Sequence, residues 1–290
     1  MLLNPVIVKK LESYFAGKDE VVLAYLFGSQ AKGTANSHRS DVDIAVYFKP
    51  KTGVFEYEES EWSDLNYKYD SESEIQDDLV RITNKEVDLI VLNRAPAYMV
   101  ASILEEGLML KEADRNLYLE LWLRSSNDAE DYFGFFREYR EIMERSHSFS
   151  NQDRLRLDKV ITFLHEELRL NQEYGAIDQI TYIHDDRKRK VLERNIENIA
   201  NAGLDIAKIL LASRHHVAPD TYVGVMYALV KLDGFDSETA KELAQAAKLR
   251  NFITHEYLDY RYQSIKKFVD GAQHNFTYLI KFTEGLLKAV

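Results

Sequence analysis

Hydrophobic residues in the first third of the chain form short runs with little polar interruption. Residues 21–27 are entirely apolar, residues 41–46 combine two acids with apolar neighbours, and residues 87–92 are apolar apart from one acid. Apolar runs of this length, flanked by polar residues, favour strands that belong to a buried sheet. The pattern therefore predicts three strands in this region.

Helical patterns surround these strands. Asn4 followed by Pro5 is typical of an N-cap and a first helical position, so we predict a helix that ends near Ala16. Residues 97–106 and 114–145 are predicted to form two more helices.

After a polar stretch at residues 146–152, apolar positions recur at helical spacing to the end of the chain. The spacing predicts five helices: one around residues 157–168, one around 196–207, one starting at Pro219, one capped by Asp236 and Ser237, and one over 265–283. We predict an α/β domain over residues 1–145 and an all-α domain over residues 153–290.

Composition limits the classes of function. The 290 residues suffice for two domains, and the absence of cysteine excludes disulfides and thiolate metal sites. No apolar run approaches the length of a membrane span, and the first ten residues lack the apolar stretch of a signal peptide, so we expect a cytoplasmic protein. The net charge of −11 argues against a general nucleic-acid surface and against DNA, but leaves room for a local RNA site.

Residues 54–80 form an acidic insertion. Ten acids and one lysine, Lys68, lie between Glu56 and Asp78. Two interpretations remain open: a solvated insertion with a helix towards its end, or a surface that holds a basic partner segment.

One candidate site combines Gly28 and Ser29 with Asp41, Asp43 and Asp88. Asp41 and Asp43 project from one face of a strand, roughly 6 to 7 Å apart at their Cα atoms, where like charges favour a bound cation. Carboxylates and phosphates are the ligands of Mg²⁺, and a glycine lets the backbone and a serine approach a triphosphate.

Asp88 interrupts an apolar strand, so we expect it to be buried and to need a partner. If the two strands are neighbours, Asp88 joins the aspartate pair as a base or a metal ligand. Each acid taken alone is also compatible with a capping or strand-edge role.

A second candidate site lies near the C-terminus, where Arg250, Asn251, His255 and Tyr257 share one helical stretch. At about 100° per residue, Arg250 and Tyr257 lie on one face, and Asn251 can orient His255 on the adjoining flank. An arginine that holds a phosphodiester and a histidine that moves a proton suffice for metal-free RNA cleavage by the neighbouring 2′-hydroxyl. As single residues they are equally typical of a surface or an interface.

The segments 28–33, 40–46 and 86–90 resemble the minimal nucleotidyltransferase family of the polymerase-β superfold, over about residues 20–112. This resemblance implies a mixed sheet with helices and a Mg²⁺-dependent nucleotidyl transfer from ATP. In it Gly28 and Ser29 hold the triphosphate, and Asp41, Asp43 and Asp88 bind metal or act as base. Ser40 either contacts the nucleotide or only forms the loop.

The spacing of Arg250, Asn251, His255 and Tyr257 resembles the signature of HEPN-domain ribonuclease toxins. That resemblance implies an up-and-down helical bundle, a homodimer with a composite RNA-cleaving cleft, and a nucleotidyltransferase antitoxin that transfers AMP to the motif tyrosine, here Tyr257.

Our interpretation is a fusion of an adenylyltransferase antitoxin with a ribonuclease domain. Two alternatives remain: a small-molecule nucleotidyltransferase of the antibiotic-modifying type with a helical dimerisation domain, and a non-catalytic dimeric scaffold.

Overall fold

The computed structural model describes residues 3–32, 41–50, 69–145, 148–255 and 262–288. The chain forms two compact units, Met1–Phe133 and Gly134–Val290.

The first unit alternates helices and strands. In chain order its elements are α1 (Pro5–Ala16), β1 (Val21–Phe27), α2 (Gly28–Lys32), β2 (Val42–Phe48), α3 (Glu72–Thr83), β3 (Val87–Val91), α4 (Ala97–Glu106), β4 (Leu108–Glu112) and the start of α5 (Arg115–Arg145). The predicted N-cap is present, because the side chain of Asn4 accepts a hydrogen bond from the backbone of Val6.

The four strands form one mixed sheet in the order β3-β2-β1-β4. β1 pairs antiparallel with β2 and with β4, whereas β2 and β3 are parallel. A parallel pair needs a crossover connection, and α3 lies in the segment between these two strands.

Helices cover both faces of the sheet, as expected for strands whose side chains are buried on alternate sides. α1 and α3 pack on one face through Leu11, Phe15, Ile75 and Leu79. The other face is covered by α4 and the start of α5, with Val100, Leu104 and Leu121 among the buried residues.

A side-chain clamp holds the ends of β2 and β3 together. Oδ1 of the buried Asn93, just after β3, accepts from the backbone N of Phe48 at 2.9 Å, and its Nδ2 donates to the Phe48 carbonyl at 3.0 Å. The ring of Phe48 stacks on that of Tyr69 at 4.4 Å.

Three of the four acidic residues of α3 are paired within the chain. Glu72 binds Arg94 through two hydrogen bonds of 2.7 Å. Glu74 accepts from Lys18, and Asp78 accepts from Tyr14. The end of the acidic insertion is therefore a helix, as the first interpretation predicts, but three of its acids are paired within the unit, which that interpretation did not predict. Residues 51–68 lie outside the described part of the chain.

The second unit is helical throughout its described length. After the end of α5 its elements are α6 (Asn151–Tyr174), α7 (Gln179–His184), α8 (Asp186–Ala212), α9 (Tyr222–Tyr227), a 3-10 helix (Ala228–Lys231), α10 (Ser237–His255) and α11 (Tyr262–Lys288). Side-chain caps fix four of the helix starts: Ser150, Asp178, Asp185 and Thr221.

The core of this unit centres on α8, which packs against α6, α10 and α11. Gly203 allows a close approach of α9 and α11, since a Cβ there would lie 2.6 Å from a ring carbon of Phe276 and 2.9 Å from the methyl of Met226. Tyr139 and Ile142 from the end of α5 are buried in the same core.

The fold class agrees with the sequence prediction, an α/β unit followed by a helical one. β4, α7 and the 3-10 helix were not predicted, and α2 begins where only a turn was expected. The helix predicted to start at Pro219 begins at Tyr222, because Thr221 provides its cap. No helix in the described ranges has the length and apolar character needed to cross a bilayer.

Candidate functional sites

The first candidate site is built at the end of β1, where Gly28 follows the strand. Its φ of 68° lies in the left-handed region, which a side chain disfavours. A Cβ built on Gly28 would lie 2.1 Å from Oδ2 of Asp43, so the carboxylate occupies the space that any other residue would fill. The glycine thus fixes both the backbone bend and the position of the neighbouring acid.

Parallel pairing of β2 and β3 brings two predicted acids together. Asp43 and Asp88 are direct register partners, and Asp43 also faces Phe27 of β1. Asp41 lies just before β2, two residues from Asp43, and it is exposed. Burial, and then the negative charges of Asp88 and Asp41, raise the pKa of Asp43 above its ordinary value. The three acids therefore interact electrostatically.

One expectation about Asp88 is wrong: the residue is exposed rather than buried. β3 is an edge strand of the sheet, so the start of this strand has a neighbour on one side only. Water can solvate the Asp88 carboxylate, so it does not need a partner to offset a cost of burial. Its negative charge still contributes to the raised pKa of Asp43.

The acid cluster fits a hard divalent cation in chemistry and charge. Its donors are carboxylate oxygens, and a cation would relieve the repulsion of Asp88 and Asp41, which adds to burial in raising the pKa of Asp43. Among the described residues no three acidic or histidine side chains are already gathered tightly enough to hold a metal ion. Cation binding would therefore require the side chains of Asp41, Asp43 and Asp88 to turn towards one another.

The remaining residues predicted for nucleotide binding are only partly described. Ser29 is half-buried in α2, directly after Gly28. Ser40 lies outside the described residues.

The second candidate site is on α10, which begins at Ser237 and ends at His255. Arg250 is buried, with 9% exposure. Its Nε donates to Oδ1 of Asn201 at 3.1 Å, and its guanidinium carbon lies 5.2 Å from the centre of the Tyr222 ring. These contacts hold the guanidinium against α8 and α9 through uncharged partners.

Asn251 is half-buried, and its Oδ1 accepts from Arg250 at 3.3 Å. The backbone of His255 belongs to the last turn of α10, so Arg250, Asn251 and His255 share one continuous helix as predicted. The side chain of His255 and the whole of Tyr257 lie outside the described residues.

Sequence reasoning missed the two residues that contact Arg250 from elsewhere. Asn201 is a polar residue between Ala200 and Ala202, both buried, in the second half of α8. Tyr222 gives no comparable signal, because aromatic residues are frequent throughout the chain.

Comparison with protein families assigns a class to each region. Residues 9–116 match the family model described as polymerase beta, nucleotidyltransferase. Residues 130–284, more than half of the chain, match the model described as ribonuclease HepT-like. The chain belongs to the HepT-like ribonuclease family and carries a nucleotidyltransferase region ahead of it. A search of curated proteins found no match.

Three solved structures are similar to part of the chain. A crystal structure of a toxin-antitoxin with AMP-PNP is 22% identical, covers 49% of this chain and 97% of its own, and has a TM-score of 0.33. Two mutants of the MntA-HpeT toxin-antitoxin also cover 49% of this chain. One is 21% identical over 97% of its own chain with a TM-score of 0.32, and the other is 23% identical over 96% with a TM-score of 0.33.

Proposed function

We propose that the first unit is a Mg²⁺-dependent adenylyltransferase that transfers AMP from ATP to Tyr257, and that this modification silences a ribonuclease in the second unit. The observation that carries the proposal is the placement of Asp43 opposite Asp88, with Gly28 packed against the Asp43 carboxylate. The two family matches support the pairing of these activities in one chain.

In the transfer step, the hydroxyl oxygen of Tyr257 attacks the α-phosphorus of ATP and pyrophosphate leaves. Asp88 accepts the tyrosine proton, and Gly28 and Ser29 hold the triphosphate, with Ser40 as a further contact. Asp41 and Asp43, with Asp88, would hold Mg²⁺, which when bound supplies positive charge to the phosphates.

In the ribonuclease step, the 2′-hydroxyl of RNA attacks the adjacent phosphorus and the 5′-oxygen leaves. Arg250 stabilises the charge on the phosphate, His255 transfers the proton, and Asn251 orients the imidazole. DNA lacks the attacking hydroxyl and is not a substrate of this chemistry.

Adenylation would block the second site by charge and bulk. The AMP phosphodiester on Tyr257 carries a negative charge, which can pair with Arg250 where an RNA phosphate would bind. We further propose that the protein acts in the cytoplasm as a homodimer formed through the helical unit.

The test of adenylation is intact-mass and peptide analysis after incubation with ATP and Mg²⁺. We expect one or more AMP groups on Tyr257, none in Asp43→Asn, and none in Tyr257→Phe. Tyr260→Phe is the matched control and should be modified like the parent protein. AMP on a peptide without Tyr257, or undiminished transfer by Asp43→Asn, would contradict the proposal. Transfer to an aminoglycoside-type small molecule instead would favour the antibiotic-modifying alternative.

Ribonuclease activity is tested in the unmodified protein. We expect Asp43→Asn to cleave single-stranded RNA, and a further His255→Ala change to lower the rate by at least about a hundredfold. If the protein is a non-catalytic scaffold, neither Asp43→Asn nor the double variant with His255→Ala will cleave RNA.

A further inference from the structure

A shallow depression of about 230 Å³ lies between α6 and α8 in the helical unit. Lys159 and Phe163 line it from α6, and Asn198 and Asn201 line it from α8. Asn201 is also the residue whose Oδ1 accepts from Nε of Arg250. The depression and the arginine of the second candidate site therefore share one side chain.

The groups around the depression have binding capacity that the fold does not use. Within the described ranges, Lys159 forms no ion pair, and neither Asn198 nor Nδ2 of Asn201 donates a hydrogen bond. Phe163 is 41% exposed, so part of its ring is open to solvent. A cation, two carboxamides and an open aromatic face thus surround one small hollow.

The acidic residue in the lining is neutralised. Asp205 lies 3.1 Å from Arg156 and 2.8 Å from the ammonium of Lys208. Lys208 is only 3% exposed and also pairs with Glu138. In a chain with a net charge of −11, this pairing prevents Asp205 from repelling a phosphate at this place.

We propose that the depression is a subsite for the single-stranded RNA nucleotide next to the phosphate held by Arg250, an inference that rests on the ribonuclease function proposed above. Phe163 stacks on the base, the two asparagines donate hydrogen bonds to the base edge or the ribose, and Lys159 pairs with the following phosphate. The ammonium, the two carboxamides and the open ring match the phosphate, the base edge and the base face of a nucleotide, which favours this ligand over a second copy of the chain.

Binding is measured with the full-length chain carrying Asp43→Asn, so that Tyr257 stays unmodified. The probe is a fluorescent 2′-O-methyl RNA octamer, which lacks the attacking hydroxyl, and the readout is fluorescence anisotropy. Phe163→Ala should weaken binding about tenfold, the size expected for the loss of one stacked base. Lys159→Ala should lower the slope of log affinity against log salt by about 0.7, as expected for one single-strand phosphate.

The matched controls remove exposed groups outside the depression. Leu155→Ala takes an apolar side chain, 65% exposed, from the same helix, and Lys190→Ala removes an exposed lysine from α8. Both should bind the probe like the parent protein. Unchanged affinity in Phe163→Ala and an unchanged salt slope in Lys159→Ala overturn the proposal.

Two further outcomes distinguish a failure of the proposed subsite from a failure of the proposed ribonuclease function. If Arg250→Ala abolishes RNA cleavage while Phe163→Ala leaves KM for a cleavable octamer unchanged, the subsite is wrong and the ribonuclease stands. If no variant cleaves RNA but Phe163→Ala still loses tenfold in probe binding, the RNA site stands and the ribonuclease is wrong. A change of oligomeric state in Phe163→Ala, seen by light scattering, would identify the depression as a subunit contact and overturn the proposal.

Discussion

The negative charge of Asp43 is unfavourable for folding but is required for the proposed chemistry. The residue is half-buried, it faces Asp88 across two paired strands, and its carboxylate lies directly over Gly28. Burial and the two neighbouring acids raise its pKa, so the folded chain disfavours the charge that cation binding requires. Such a conflict is typical of functional sites.

Replacing this charge should stabilise the protein. The pKa of Asp43 is raised on folding, so its charge lowers the free energy of unfolding above the pKa of an unfolded aspartate and has no effect below it. Without divalent cations, Asp43→Asn should raise the free energy of unfolding at pH 7 by less than about 1 kcal/mol, because water screens a half-exposed carboxylate. The difference should vanish below about pH 4.

Denaturant titrations at several pH values measure this effect, with Asp158→Asn, on an exposed face of α6, as the control. Adding Mg²⁺ should reverse the order of stability, because the ion binds only the folded parent protein. A variant that is less stable than the parent at pH 7 without metal would contradict this account.

The proximity of the acids in the first candidate site could be predicted from the strand pattern. Asp41 and Asp43 lie on one strand, and an acid within an apolar run identified Asp88. The exposure of Asp88 was not predictable, because it depends on β3 being an edge strand. The contact between Arg250 and Asn201 was also beyond prediction, since it joins residues 49 positions apart through the packing of α8 and α10.

Among the elements, several in the first unit were predicted with nearly correct bounds, whereas α8 (Asp186–Ala212) extends well beyond the pattern at residues 196–207 that predicted it. The predicted helix at residues 97–106 has the bounds of α4, and the strands at 21–27 and 87–92 correspond to β1 and β3. β4 was missed because it has five residues, of which Leu110 alone is buried. An edge strand of this length carries too little alternation to be distinguished from a loop.

The contact of α8 with α9 and α11 depends on one glycine. Gly203→Ala should lower the free energy of unfolding by about 1 to 3 kcal/mol, because the new methyl would overlap Phe276 and Met226. Gly285→Ala in α11 is the matched control, since nothing lies near its added Cβ. It should stabilise the helix by about 0.5 to 1 kcal/mol. Thermal unfolding followed by circular dichroism compares the two, and equal effects would exclude a packing role for Gly203.

For the whole molecule, the division between the two units falls within α5 rather than in a polar linker. Tyr139 is fully buried in the helical core, and its hydroxyl donates to the His216 carbonyl at 2.8 Å. Ile142 is 5% exposed in the same core. Ser150, within the predicted linker, caps α6, but the core that α6 joins also uses the end of α5.

Two fragments test which segment the helical unit needs. In a His255→Ala background, which avoids ribonuclease activity, residues 134–290 should unfold cooperatively in denaturant. Residues 153–290 should be less stable by at least about 5 kcal/mol, because the fragment loses the buried side chains of Tyr139 and Ile142. Equal stability of the two fragments would show that the end of α5 is dispensable.

The anchoring of Phe48 and Tyr69 has an evolutionary consequence. Phe48 is held by Asn93 and stacks on Tyr69, whose backbone N in turn donates to Glu72. The residues that flank positions 51–68 on either side are thus held by contacts outside that segment. We therefore expect the length of this segment to vary among relatives, since lengthening a connection costs little, while the strand order and the aspartates at the opposite end of β2 are retained.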